Sequence, residues 1–163
     1  MVDRYVTGIL ASLVSINLDG AVGVGATPAA KTENADLAFN LMICEKICRE
    51  YYLGFRQTCG VEQNRGSVNY RTIFSSLTGA FAGFKINDEQ RLHAGAGFRI
   101  RGMRGNPVGL NLSAQHLFRI MKGSSEFPEG QHVLWLKSGL EAGYFLEGDL
   151  QAMATIGVSW NAF

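Results

Sequence analysis

At 163 residues the chain has the length of one domain, residues 1–163, and enough residues to bury a real core. A formal net charge of +1 and 18% charged residues, below the roughly 25% of soluble domains, argue against a nucleic-acid binder driven by phosphate contacts and fit a chain with much hidden or lipid-facing surface. No apolar run of about 18 residues exists, which excludes a membrane-spanning helix.

The chain opens with Met1 to Ala30, which does not read as a signal peptide. Asp3 and Arg4 lead a short apolar run that Asn17 and Asp19 break. The expectation is a cytoplasmic chain or one that starts at a mature N-terminus. Within it, residues 10–26 keep period two at Val14, Ile16, Leu18, Val22 and Val24, as a single strand or as a hairpin turning at Asp19-Gly20. GAVGVG in the same stretch lacks the GxGxxG spacing and the strand-turn-helix context of a dinucleotide loop. Residues 27–34, TPAAKTEN, form a polar connection.

The period then changes. Leu37, Leu41, Cys44, Cys48, Tyr51 and Phe55 recur at spacings of four and three, with Glu45, Lys46, Arg49, Glu50, Arg56 and Gln57 on the opposite side. That pattern predicts a helix over residues 35–58, with Asn34 as N-cap, Asp36 in the first turn and Gly60 beyond the end. Such a helix lies on a sheet, docks on a copy of itself to give a homo-oligomer, or plugs a barrel.

Residues 67–163 read as a five-stranded antiparallel meander. Val68 to Ile86 is followed by a short Asn87-Asp88 turn and by Arg91 to Arg101, in which Leu92, Ala94, Ala96, Phe98 and Ile100 alternate with His93, Gly95, Gly97, Arg99 and Arg101. After the loop GMRGNP, Leu110 to Ile120 alternates again. The loop KGSSEFPEGQ then leads into two long strands joined at Glu147-Gly148-Asp149. One face of that last pair carries Leu134, Leu136, Leu140, Ala142, Tyr144, Ile156, Val158 and Trp160. The other carries Lys137, Glu141, Gln151, Met153, Thr155 and glycines. Twenty glycines, many inside strand-like stretches, suggest close packing, bends or a tight barrel interior.

Chemistry-bearing motifs are sparse. Cys44, Cys48 and Cys59 are an odd number of thiols, too few for a four-ligand zinc site and with all three histidines distant in sequence, so they read as small buried hydrophobes. His93, His116 and His132 are the candidates for acid-base work. Ser113 and His116, three apart, point to opposite faces of a strand and make no dyad. No cofactor, metal or catalytic set is expected, and whether the chain is an enzyme stays open, with the balance toward a non-enzymatic protein. Basic residues cluster between Lys85 and Lys122, and acids dominate from Gly123 onward. If the strands close a barrel, Arg99, Arg101, Arg119, Lys137 and Glu141 become candidates for a charged network lining its interior.

The strand pairs GAFAGFKINDEQRLHAGAGFRIRG and SGLEAGYFLEGDLQAMATIGVSWNAF resemble those of bacterial outer-membrane β-barrel proteins, over about residues 67–163. The resemblance implies strands with apolar residues outside and glycine or polar residues inside, with Phe84, Phe98, Phe118, Tyr144 and Trp160 as interfacial aromatics. The expected fold is thus mainly β with one long helix: an up-and-down antiparallel β-barrel or strongly curved sheet. Its partner is the lipid bilayer, its place the outer membrane, and its role structural, adhesive or that of a narrow pore.

Two alternatives remain. One is a soluble cytoplasmic α+β domain whose antiparallel sheet wraps around the helix, an arrangement similar in element order to hot-dog-fold thioesterases, binding a small ligand or hydrolysing an acyl ester. The other is a structural subunit of a large assembly such as a virion.

Overall fold

A computed structural model describes residues 14–28, 30–43, 45, 50–65, 70–102, 108–122, 133–146 and 148–161, with backbone alone at 64, 70, 71 and 122. Eight strands follow one another: β1 Val14–Ala26, β2 Lys31–Ile43, β3 Tyr51–Arg65, β4 Tyr70–Asn87, β5 Gln90–Gly102, β6 Val108–Lys122, β7 Val133–Phe145 and β8 Leu150–Asn161. Each pairs antiparallel with the next, and β8 returns to β1, so the sheet closes into a barrel without an edge.

The register sets the size of the bore. Residues paired in turn from Ile16 run through Leu41, Phe55, Ala80, Ala96, Leu112, Ala142 and Ala152 and come back to β1 at Ala26, ten residues from the start. Eight strands with that stagger tilt by roughly 35–45° and leave an interior just wide enough for side chains to fill. The strands, from 12 residues in β8 to 18 in β4, exceed the roughly 9–11 residues a tilted strand needs to cross hydrocarbon.

Alternation decides the two faces. On β7, Trp135, Lys137 and Phe145 are buried in the bore, while Leu136, Leu140 and Tyr144 lie outside. On β5, Arg99 and Arg101 point in, and Phe98 and Ile100 point out. The apolar side of the sheet is therefore the outer side. Leu37, Leu140 and Phe98 stand 73%, 67% and 62% exposed, a surface that suits hydrocarbon and not water.

The helix over 35–58 is overturned. Residues 35–43 belong to β2 and 51–58 to β3, and no helix occurs among the described residues. A homo-oligomer formed through that helix falls with it, as does the soluble α+β fold, which needs a helix for its sheet to wrap. The predicted N-cap Asn34 is an inward strand residue whose Nδ2 donates to Asp36 Oδ2 at 2.7 Å. Between residues 10 and 26, β1 runs unbroken through Asp19-Gly20 instead of turning there. The strongly curved open sheet is replaced by full closure.

Four connections, residues 27–30, 66–69, 103–107 and 146–149, lie at the end away from the chain termini. The other end carries 44–50, 88–89 and 123–132 together with both termini.

Candidate functional site

The bore is lined by charge. Among the described residues the inward positions carry five carboxylates, Asp19, Asp36, Glu45, Glu62 and Glu141, and five strongly buried or stacked cations, Arg56, Arg91, Arg99, Arg101 and Lys137. An unpaired charge in such a place costs several kcal/mol, about enough to cancel a small domain's stability, so the arrangement must pair them.

At mid-barrel, Lys137 Nζ donates to Asp19 Oδ2 at 2.8 Å, and Arg56 Nη2 stands 3.9 Å from the same oxygen. Arg56 Nε donates to Asn40 Oδ1 at 2.7 Å, and its guanidinium lies over the Phe81 ring, 5.1 Å from the centroid. Arg99 Nη2 donates to Glu141 Oε2 at 2.6 Å and is 4.0 Å from Asp36 Oδ2. β5 and β7 hold the first pair with only β6 between them, whereas Arg99 and Asp36 reach across the bore.

Each end is closed by an arginine on an aromatic ring. Toward the short connections, Arg101 sits 3.6 Å over the Phe145 ring, 2.8 Å from Glu62 Oε1, and donates to Gln151 Oε1 at 2.6 Å. Gln151 Nε2 donates back to Glu62 Oε1 at 3.3 Å. Toward the termini, Arg91 stacks over Trp135 at 4.2 Å and faces Tyr52 at 5.8 Å. It pairs there with Glu45, a residue of the β2–β3 connection that turns into the mouth. Glu45 also accepts from the Ser15 hydroxyl through its carboxylate and from Lys85 Nζ through its backbone carbonyl. Beneath this layer the Tyr52 hydroxyl meets His93 Nε2, and the His93 ring lies 4.6 Å from Phe81.

Little room is left between these groups. Two internal cavities, one among Asp19, Asp36, Arg56, Gln115, Lys137 and Glu141 and the other beside Phe81 and Asn111, measure about 10 Å³ each. That is the size of one water molecule. Paired charges and water-sized cavities make the described interior a packed polar core, held by the same pairing that a water-filled channel would have to give up.

Of the residues singled out in the sequence, Arg99 and Glu141 come together, while Lys137 and Arg101 take other partners, Asp19 and Glu62. Arg119 stands apart at the mouth, 3.6 Å from the exposed Glu89. Sequence reasoning missed Asp19, Asp36, Arg56 and Glu62. The available signal was parity: each shares its strand's inward face with small or polar neighbours, as Asp19 does with Ser15 and Asn17.

The remaining candidates scatter. His93 is buried in the bore, whereas His116 points outward with Nε2 3.3 Å from Gln90 Oε1, and His132 lies outside the described residues. Cys59 is a free thiol on the outer face, and Cys44 and Cys48 fall outside the described residues. No group of His, Cys, Asp and Glu with metal-holding geometry occurs among the described residues.

Of the outward aromatics, Phe84, Phe118 and Trp160, with Tyr51, gather near the end that carries the termini. Tyr144 and Phe74 lie near the other end, and Phe98 sits within the band between. This is the two-girdle arrangement of a membrane barrel.

No family model matches the chain, and no curated protein matches it in sequence. Solved structures do. Ail, the attachment invasion locus protein of Yersinia pestis, superposes with a TM-score of 0.54 at 13% identity, over 92% of this chain and 98% of its own. A de novo designed transmembrane β-barrel gives 0.50 at 13% identity, over 91% and 95%. The outer membrane enzyme PagL gives 0.50 at 12% identity, over 86% and 97%. Likeness at such identities is one of fold: this chain has the architecture of an outer-membrane β-barrel, and its oily exterior is that of a protein embedded in a bilayer.

Proposed function

We propose that the chain is a non-enzymatic outer-membrane barrel with a structural role, a small sealed span whose rigidity comes from its charged core. The observation that supports this is the filled bore: Arg99–Glu141, Lys137–Asp19 and Arg101–Glu62 occupy successive levels of it, and the two cavities found between the described residues are water-sized. A narrow-pore role would require those pairs to part, each leaving a charge without its counterion in a confined space. An adhesive role, which the name of the Yersinia neighbour brings to mind, needs surface beyond the membrane. The four stretches between strands at the end away from the termini have only four or five residues each, so such surface would have to come from the strand ends that run past the hydrocarbon.

The test is reconstitution of the purified chain into planar bilayers. A folded barrel, recognised by heat-modifiable gel migration, is expected to add no steps of conductance above the bare membrane. Regular unitary conductance from the heat-modifiable species would replace the structural role with the pore.

A further inference from the structure

The outer band is broken at mid-depth by a polar group that hydrogen-bonds within itself. Gln57 is the seventh of fifteen residues in β3, and Thr78, its paired neighbour, is the ninth of eighteen in β4. Both face outward. Thr78 Oγ1 donates to Gln57 Oε1 at 2.6 Å, and Gln57 Nε2 donates to Ser76 Oγ at 2.9 Å. A primary amide has two hydrogens and its oxygen two lone pairs, so these two bonds use half of what Gln57 carries. Hydrocarbon offers nothing to the rest, and a polar group in lipid without a partner is costly.

The ground beside this group is low. Ala80 and Ala82 continue the outward row of β4, and Ala94 and Ala96 lie opposite them on β5, while Phe55 and Phe98 stand up on either side, 45% and 62% exposed. Small residues that admit close approach, next to polar residues that can hydrogen-bond across, are what joins spans in a membrane, where burial of apolar surface from water is no longer a driving force.

We propose that the outer face of β3 and β4 is the contact between two copies of this chain, with Gln57, Ser76 and Thr78 bonding across a two-fold axis along the membrane normal. The proposal rests on the chain being membrane-embedded. A second copy is the occupant the chemistry selects: such an axis keeps each residue at its own depth, so the patch meets a partner with donors and acceptors at the same level. A lipid chain could cover the alanines but has nothing to offer the amide.

Cys59 provides the reporter, because it is exposed on the same face and paired with Ser76. A C44S/C48S variant, with Cys59 as its one thiol, is reconstituted in phosphatidylcholine vesicles and oxidised with copper phenanthroline. The expected product is a disulfide-linked dimer, formed at least tenfold faster than with L140C placed on the far side of the barrel in a chain lacking Cys59. Q57L, which suits lipid and should fold, is expected to reduce the dimer at least tenfold while keeping heat-modifiable migration. Cross-linking of Cys59 no faster than that of L140C, or a dimer unchanged by Q57L, overturns the proposal. Absence of heat-modifiable migration in the parent chain would instead remove the membrane reading, and the contact with it.

Discussion

Arg99 and Glu141 meet at 2.6 Å inside the barrel, the arginine buried and the carboxylate partly so. Asp36 stands 4.0 Å from the same Arg99 nitrogen, so the arginine answers two carboxylates while Glu141 answers one cation. Removing the arginine therefore strands two anions, whereas removing Glu141 leaves Arg99 a second partner. R99A is expected to lower unfolding stability by about 3–5 kcal/mol, and E141A by clearly less. R99M combined with E141L should recover only part of the loss, because the apolar pair needs no counterion but Asp36 is still left without its cation. Urea unfolding in lipid vesicles measures all three. Equal losses for R99A and E141A would mean that Asp36 takes no part.

The outer face should punish charge according to depth. Leu37 is the seventh of thirteen residues in β2 and 73% exposed, whereas Leu146 follows the end of β7. L37R is expected to cost about 2–4 kcal/mol and L146R about 0–1 kcal/mol, as arginine does on lipid-facing strands at the midplane and near the interface. In the same vesicle assay, equal effects at the two positions would show that no depth gradient acts on this surface.

Inward glycines make room for aromatic rings. A Cβ at Gly83 would stand 2.2 Å from the Tyr52 ring, and one at Gly54 2.2 Å from the Phe81 ring, in a layer where Met42, Tyr52 and Phe81 pack together. G83A and G54A are expected to cost about 1–3 kcal/mol each by overpacking. Outward Gly20 is the control: its added Cβ meets only Leu37 Cδ2 at 3.8 Å, and G20A should stay within about 0.5 kcal/mol of the parent. A cost at Gly20 as large as at Gly83 would rule out ring crowding as the cause.

The second half of the barrel was legible because its strands state period two plainly, as Leu92 to Ile100 do throughout and Leu134 to Tyr144 do with one break at Ser138. The region around residues 35–58 was not, for a reason in the arithmetic. Leu37 and Leu41, then Tyr51 and Phe55, are four apart, and four is a multiple of two as well as close to a helical turn. Leu37, Phe39, Leu41 and Ile43 already alternate along the outer face of β2. Only the steps through Cys44 and Cys48 supplied a helical spacing, and they fall on the connection between β2 and β3. The charged candidates were visible by their excess, but their partners depend on register. Arg101 finds Glu62 two strands away because β4 sets β3 and β5 at matching heights, which no local pattern announces.

The two tryptophans report the sidedness of the sheet directly. Trp135 is 1% exposed in the bore beneath Arg91, and Trp160 is 42% exposed on the outer face beside Leu18 and Leu134. With the other indole replaced by phenylalanine, each can be read alone, since the chain has only these two. In vesicles of dibrominated phosphatidylcholine, bromine quenches an indole that touches the acyl chains. The W135F protein, which keeps Trp160, is expected to lose most of its emission, and the W160F protein, which keeps Trp135, almost none. The opposite order, or equal quenching, would mean that the face bearing Trp160 is not turned toward hydrocarbon. The depth dependence of L37R and the contact through Gln57 would then lose their basis.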